Sequence, residues 1–179
     1  KWAWLRISKN ESLPWSEKLI DKYESLLGWD IGYNQALPWS IEFKEKYWGF
    51  IDWYHLSCNS KLPWSMELIE KYEHKWDLNF LAGNKNLPWS VELIEKYFDN
   101  WDWRRLSNNN SLPWTVKLIE KYFDKWNWEF LSGNSGLPWS LEFIEKYKLR
   151  EKYVSEWPKS IKQLVSYDVR FSGDDGNPW

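Results

Sequence analysis

The chain has 179 residues, a formal charge of -2, 20% aromatic and 28% charged side chains. Its length suits one ordinary domain or part of a longer polypeptide, and 18 tryptophans exclude a disordered chain, which is poor in aromatics. The near-neutral charge excludes a global pull toward nucleic acid or anionic membrane, and no apolar run approaches the ~18 residues that span a bilayer.

The chain opens on KWAWLRISKNES, Lys1 to Ser12, which matches the second half of a unit repeated downstream. Trp2 and Trp4 stand where Trp101 and Trp103 stand. The word LPW then recurs at Leu13, Leu37, Leu62, Leu87, Leu112 and Leu137, spaced by 24 and then by 25 residues. Eight residues after each motif Trp comes a tyrosine: Tyr23, Tyr47, Tyr72, Tyr97, Tyr122 and Tyr147. An asparagine closes each unit, at Asn10, Asn34, Asn59, Asn84, Asn109 and Asn134. Self-similarity at such a period marks a repeat architecture.

The unit that begins at Leu87 shows the grammar. Leu87 precedes a proline and should be extended. Ser90 is a candidate N-cap, with Trp89 before it and Ile94 inside it as a hydrophobic staple. Leu93, Ile94, Tyr97, Phe98 and Trp101 fall on one helical face, which predicts a first helix of about 11 residues. Glu92 and Lys96 are spaced for a favourable pair on its outer side. Asp102 caps a second helix of about 7 residues, with Trp103 and Leu106 facing inward. Asn109 suits a left-handed C-cap. Helices this short do not stand alone. Each buried aromatic removes ~150–250 Å² from water, a gross gain of at most ~4–6 kcal/mol per Trp. Each copy is therefore expected to complete its neighbour's core.

Beyond Tyr147 the pattern loosens. The last residues, FSGDDGNPW, align with LSGNSGLPW at Leu131 to Trp139. The expectation is an all-α protein, an α-solenoid of about six 25-residue helix-turn-helix repeats over residues 1–150. Units begin near 13, 37, 62, 87, 112 and 137, and residues 1–12 are the second half of a preceding unit. Residues 151–179 are a divergent repeat or a capping segment. A chain that starts and stops in mid-repeat reads as a fragment of a longer array; the alternative is a natural C-terminus with a decayed last unit.

These LPWS and WDW words resemble the Trp-rich tandem repeats of bacterial and large-DNA-virus proteins, over Lys1 to about Tyr147. Their helix–turn–helix logic is similar, at a distance, to tetratricopeptide and Sel1-like solenoids. The resemblance implies a superhelical interaction surface.

Little in the chain points to chemistry. His55 and His74 occupy different offsets in neighbouring units and are expected to be exposed. Cys58 lies three residues after His55, half a metal site with no second pair to complete it. A lone cysteine makes no internal disulfide, which fits a reducing compartment and favours a cytoplasmic one. Glu45, Glu70, Glu95, Glu120 and Glu145 each sit beside a lysine, Lys46, Lys71, Lys96, Lys121 or Lys146. That pattern reads as a compensated, solvated face. An opposed lysine stripe also speaks against nucleic acid, which needs an unopposed one and free aromatics. No catalytic residue, metal or cofactor is expected.

The positions that differ between copies are the candidates for a partner surface. They lie on the second helices and the following loops: Tyr54, His55, Phe80, Arg104, Arg105 and Phe130 above all, with loop pairs such as Ser60–Lys61 and Asn110–Ser111. Their mixed chemistry suits a protein interface; the alternative is drift at unconstrained positions. The expected function is a non-enzymatic scaffold for protein–protein interaction. Two other readings are a filament or spacer built by head-to-tail self-association, and carbohydrate binding on exposed rings, with Trp48 and Tyr54 as candidates.

Overall fold

A computed structural model describes residues 2–47, 49 and 51–147. Residue 48 and the segment 151–179 therefore lie outside the described residues. Within them the protein is all-α: eleven short α-helices, one 3-10 helix and no strand. None of these helices is long and apolar enough to cross a membrane. The chain divides into two compact units, Lys1–Asp102 and Trp103–Trp179.

The first unit contains α1 (Trp2–Ser8), α2 (Glu17–Tyr23), the 3-10 helix η1 (Trp29–Tyr33), α3 (Ile41–Tyr47), α4 (Trp53–Ser57), α5 (Met66–Lys71), α6 (Leu78–Leu81) and α7 (Val91–Lys96). The second contains α8 (Trp103–Asn108), α9 (Val116–Lys121), α10 (Trp128–Gly133) and α11 (Leu141–Lys146). First and second helices of the repeat alternate along each unit.

The LPW word is a turn. In the repeat that begins at Leu87 the amide of Trp89 donates to the Leu87 carbonyl at 2.8 Å, and the other five copies do the same. A bond from i+2 to i closes an inverse γ-turn, whose central φ of about −75° matches the value a proline ring imposes. The next residue caps the first helix. The hydroxyls of Ser16, Ser65, Ser90, Thr115 and Ser140 each accept from an amide three residues on. Side-chain caps of this kind satisfy amides that a helix start leaves open.

The first helix is shorter than its apolar face predicts: α7 has 6 residues, not about 11. Tyr97 leaves the helix at φ −115° and ψ 28°, and Phe98 turns to the Glu95 carbonyl instead of that of Ile94. The Ile94 carbonyl goes to the indole N–H of Trp101, at 3.1 Å. Trp76 serves Ile69, and Trp126 serves Ile119, in the same way. The apolar residues still reach the core, with Tyr97 and Trp101 buried, but a side chain caps the helix that periodicity extended. Glu92 also departs from expectation. Its own amide and the Ser90 hydroxyl hold its carboxyl below the usual range, while Lys96 pairs with Glu70 of the preceding repeat at 2.7 Å.

The closing asparagine is the hub of the repeat. Asn34 and Asn134 have extended backbone, with φ −69° and −78°, so these units do not close through the expected left-handed cap. Three other bonds use the residue. Its backbone carbonyl accepts the indole N–H of the motif Trp, as in Trp89 to Asn84 at 2.9 Å and Trp114 to Asn109 at 2.9 Å. Its Oδ1 accepts the amide two residues on, an Asx turn, as in Asn86 to Asn84 and Ser111 to Asn109. Its Nδ2 reaches back one repeat: Asn34 to Ser8, Asn59 to Gly32, Asn84 to both Ser57 and Asn59, and Asn134 to Ser107. A buried amide with all its groups used favours a single register for stacking.

A serine two residues before the asparagine adds a second rung. Ser57 Oγ donates to the Trp53 carbonyl and accepts from the Asp77 amide of the next repeat. Ser8 with Gly28, and Ser107 with Asn127, repeat the arrangement. Aromatic rings fill the space between. Trp76 packs on Trp53 of the preceding repeat at 4.8 Å and on Trp64 of its own at 5.0 Å. Trp126 does so with Trp103 and Trp114, both at 4.8 Å. The motif tryptophans themselves are half-buried apart from Trp114, which is buried.

The first repeat is one residue short, and its second helix absorbs the loss. Seven steps lead from the cap Asp52 to Asn59, but only six from the cap Gly28 to Asn34. Five residues of 3-10 helix at ~2.0 Å each span about what six α-helical residues span at ~1.5 Å. The deletion thus leaves the stacking distance intact.

Candidate functional site

Counted back from the closing asparagine, the variable side chains form columns. Asp30, His55 and Phe80 share one place in the first unit, and Arg105 and Phe130 share it in the second. Trp29, Tyr54 and Asn79, and likewise Arg104 and Glu129, stand one residue earlier. Rings from one column meet those of the next repeat's other column. Trp29 lies against His55 at 5.0 Å, Tyr54 against Phe80 at 4.2 Å, and the Arg104 guanidinium over Phe130 at 4.7 Å. The structure therefore brings Tyr54, His55 and Phe80 together in the first unit, and Arg104 with Phe130 in the second. Tyr54, Arg104 and Arg105 are exposed, and Phe80 and Phe130 are half-buried.

His55 is not exposed as expected: it is only 5% accessible. Tyr33 meets its ring edge-on at 4.2 Å, and Tyr54 covers another side at 5.1 Å. Gly32 makes this packing possible, because a Cβ there would stand 2.9 Å from the Cβ of His55. The imidazole Nε2 is 3.6 Å from the buried Asp30 carboxylate, which Lys9 neutralises at 2.8 Å. Its Nδ1 is 3.1 Å from Asp52 but is buried without a hydrogen bond. Burial first, then the neighbouring Cys58 and Tyr54, push the Tyr33 hydroxyl up to about 12. Cys58 is half-buried and forms no disulfide; His74 is exposed. Among the described residues no three His, Cys, Asp or Glu side chains are grouped to hold a metal ion.

Sequence reasoning missed Trp29, Asp30 and Tyr33, because the one-residue deletion shifts them out of register with the motif Trp. The signal that finds them is the distance to Asn34. It also missed the serine rung, although Ser8, Ser57, Ser107 and Ser132 recur at one place.

The Glu and Lys columns form a different face. Lys71 bridges to Glu45 at 2.8 Å, and Lys146 bridges to Glu120, each pair joining adjacent repeats. The same lysines lie over the tyrosine that follows them, as Lys71 does over Tyr72 at 5.2 Å. The neighbouring carboxylate Glu45, then Tyr72, hold the Lys71 ammonium above its ordinary range. Charge on this face is thus used between repeats. The loop pairs interlock similarly, with Ser60 bonded to Gln35 and Asn110 to Ser135.

Comparison with protein-family models, with curated proteins and with solved structures finds no match for this chain.

Proposed function

We propose that this chain is a non-enzymatic scaffold that binds another protein through the strip that the second helices form within each of its two units. One observation carries the reading: recurring side chains are consumed in contacts between repeats, while the differing ones gather in adjoining columns. Those columns set aromatic rings and guanidinium, which interfaces enrich, beside polar carboxylate and amide groups. Stacked repeats hold such groups in place before binding, which lowers the entropy lost on association. Kinship with the Trp-rich tandem repeats belongs to the same proposal.

The test is site-specific photo-crosslinking from position 54 or 130, with position 74, off the strip, as control. A partner trapped from the strip and not from position 74 is then purified. Its affinity should fall more than about tenfold, ~1.4 kcal/mol, for Tyr54→Ala with Phe80→Ala. Arg104→Ala with Arg105→Ala should weaken it too, with helicity retained in both. Unchanged affinity in both double variants contradicts the proposal.

A further inference from the structure

The first repeat holds a cavity where other repeats hold an indole. Twelve residues after the motif Trp stand Trp76, Trp101 and Trp126 in three repeats, but Leu27 in the first and Ile51 in the second. The second repeat compensates. Phe43 stands where the first, third, fourth and fifth repeats have leucine, and packs on Trp39 at 5.4 Å and on Tyr47 at 4.7 Å. Both Phe43 and Ile51 are buried. The first repeat has leucine at both places, Leu19 and Leu27, and neither carries the larger side chain that fills the other repeats. Leu19 is only half-buried, whereas Leu68, Leu93 and Leu118 at the same place are buried.

What surrounds the gap is the cage itself. Trp53, Trp64 and Tyr72 stand about Trp76, as Trp103, Trp114 and Tyr122 stand about Trp126. Their counterparts are Trp4, Trp15 and Tyr23, with Trp4 and Tyr23 5.1 Å apart, against 5.5 Å for Trp53 and Tyr72 and 5.3 Å for Trp103 and Tyr122. They line an open cavity of about 410 Å³ together with Leu19 and Leu27. Trp4 and Leu27 also line a second hollow of about 670 Å³, walled further by Leu26 and Trp29. Those two side chains are 48% and 55% exposed. The volumes are those of ligand sites, and the linings include no charged side chain.

We propose that the first repeat is a receptor for a tryptophan side chain carried by a partner polypeptide. The indole takes the place that Trp76 and Trp126 take in their own repeats, where ring edges meet ring faces. Residues flanking it lie in the adjoining hollow, which a free indole would leave unused. This goes beyond the strip of second helices: Trp29 stands in both, but the cage of Trp4, Trp15 and Tyr23 is no part of the strip.

The experiment titrates the full chain, observed by ¹⁹F NMR, with a blocked pentapeptide bearing a central 5-fluorotryptophan. Free 5-fluoroindole and a leucine-centred peptide, followed by calorimetry, are the comparisons. Saturable binding of the fluorotryptophan peptide is expected, tighter than that of fluoroindole and absent for the leucine peptide. Leu27→Trp supplies the missing indole; it should weaken binding at least about tenfold and raise Tm by a few degrees. Leu19→Phe copies the second repeat's solution and should also close the site, so it decides the matter if Leu27→Trp does not fold. His74→Ala, at an exposed position off both the cage and the strip, should bind the peptide unchanged. No saturable binding to the native chain, undiminished binding to a folded Leu27→Trp or Leu19→Phe chain, or tighter binding of fluoroindole than of the peptide overturns the proposal.

Discussion

The side-chain amide of Asn59 donates to the backbone carbonyl of Gly32 at 2.7 Å, across 27 positions of sequence. Asn34, Asn84 and Asn134 repeat that reach, so a single residue type ties these four closing loops to the repeats before them. Removing one such amide leaves buried carbonyls and an open turn. Asn84→Ala should therefore cost about 2–4 kcal/mol, since each unsatisfied buried group costs ~1–3 kcal/mol. Asn84→Asp, which sets a carboxylate against two carbonyls, should cost at least as much. Exposed Asn86→Ala should stay within about 0.5 kcal/mol. Urea unfolding followed by circular dichroism measures all three.

The indole caps make a second expectation. Trp101→Phe keeps most of the buried ring area but strips the Ile94 carbonyl of its donor. A loss of about 1–3 kcal/mol is expected, more than ring size alone implies. Amide exchange should also quicken in the turn after Lys96. A neutral substitution would mean that the helix ends there for another reason.

Acid should loosen the stack in a residue-specific way. The Tyr47 hydroxyl, at 2.6 Å, and then the Lys46 ammonium hold the Asp21 carboxyl below its ordinary range. A carboxyl whose folded value is depressed stabilises the fold above the unfolded value near 4, and that contribution is lost as pH falls through the folded value. Melting curves from pH 6 to pH 2.5 should show a steeper loss for the native chain than for Asp21→Asn. Because Asp21 is exposed, the difference should be small and should shrink further in high salt. Parallel curves would contradict the assignment.

Much of this was legible in the sequence. A cap such as Ser90 announces itself by its place before an apolar run, and the Leu, Ile and Tyr that follow are buried as their spacing requires. What periodicity does not carry is competition from side chains distant in sequence. Nothing local to Ile94 says that Trp101 will take its carbonyl. Nor does Asn84 show that its amide is wanted one repeat back, which favours extended backbone over a left-handed cap in its counterparts Asn34 and Asn134. Charge pairing follows the same rule: Lys96 chose Glu70 over the nearer Glu92. In the candidate strip, the columns follow from counting to the asparagine. The burial of His55 does not, because it depends on Gly32 giving way beside it.

Excising residues 62–86, one full period, tests most directly whether each copy completes its neighbour. Asn59, Ser60 and Lys61 would then run into Leu87 in register, so the shortened chain should keep the parent's helicity per residue and melt cooperatively. Excising only residues 62–73 breaks the register and should unfold the region. A full-period excision that unfolds the chain, or a half-period excision that leaves it intact, would contradict stacking through shared cores.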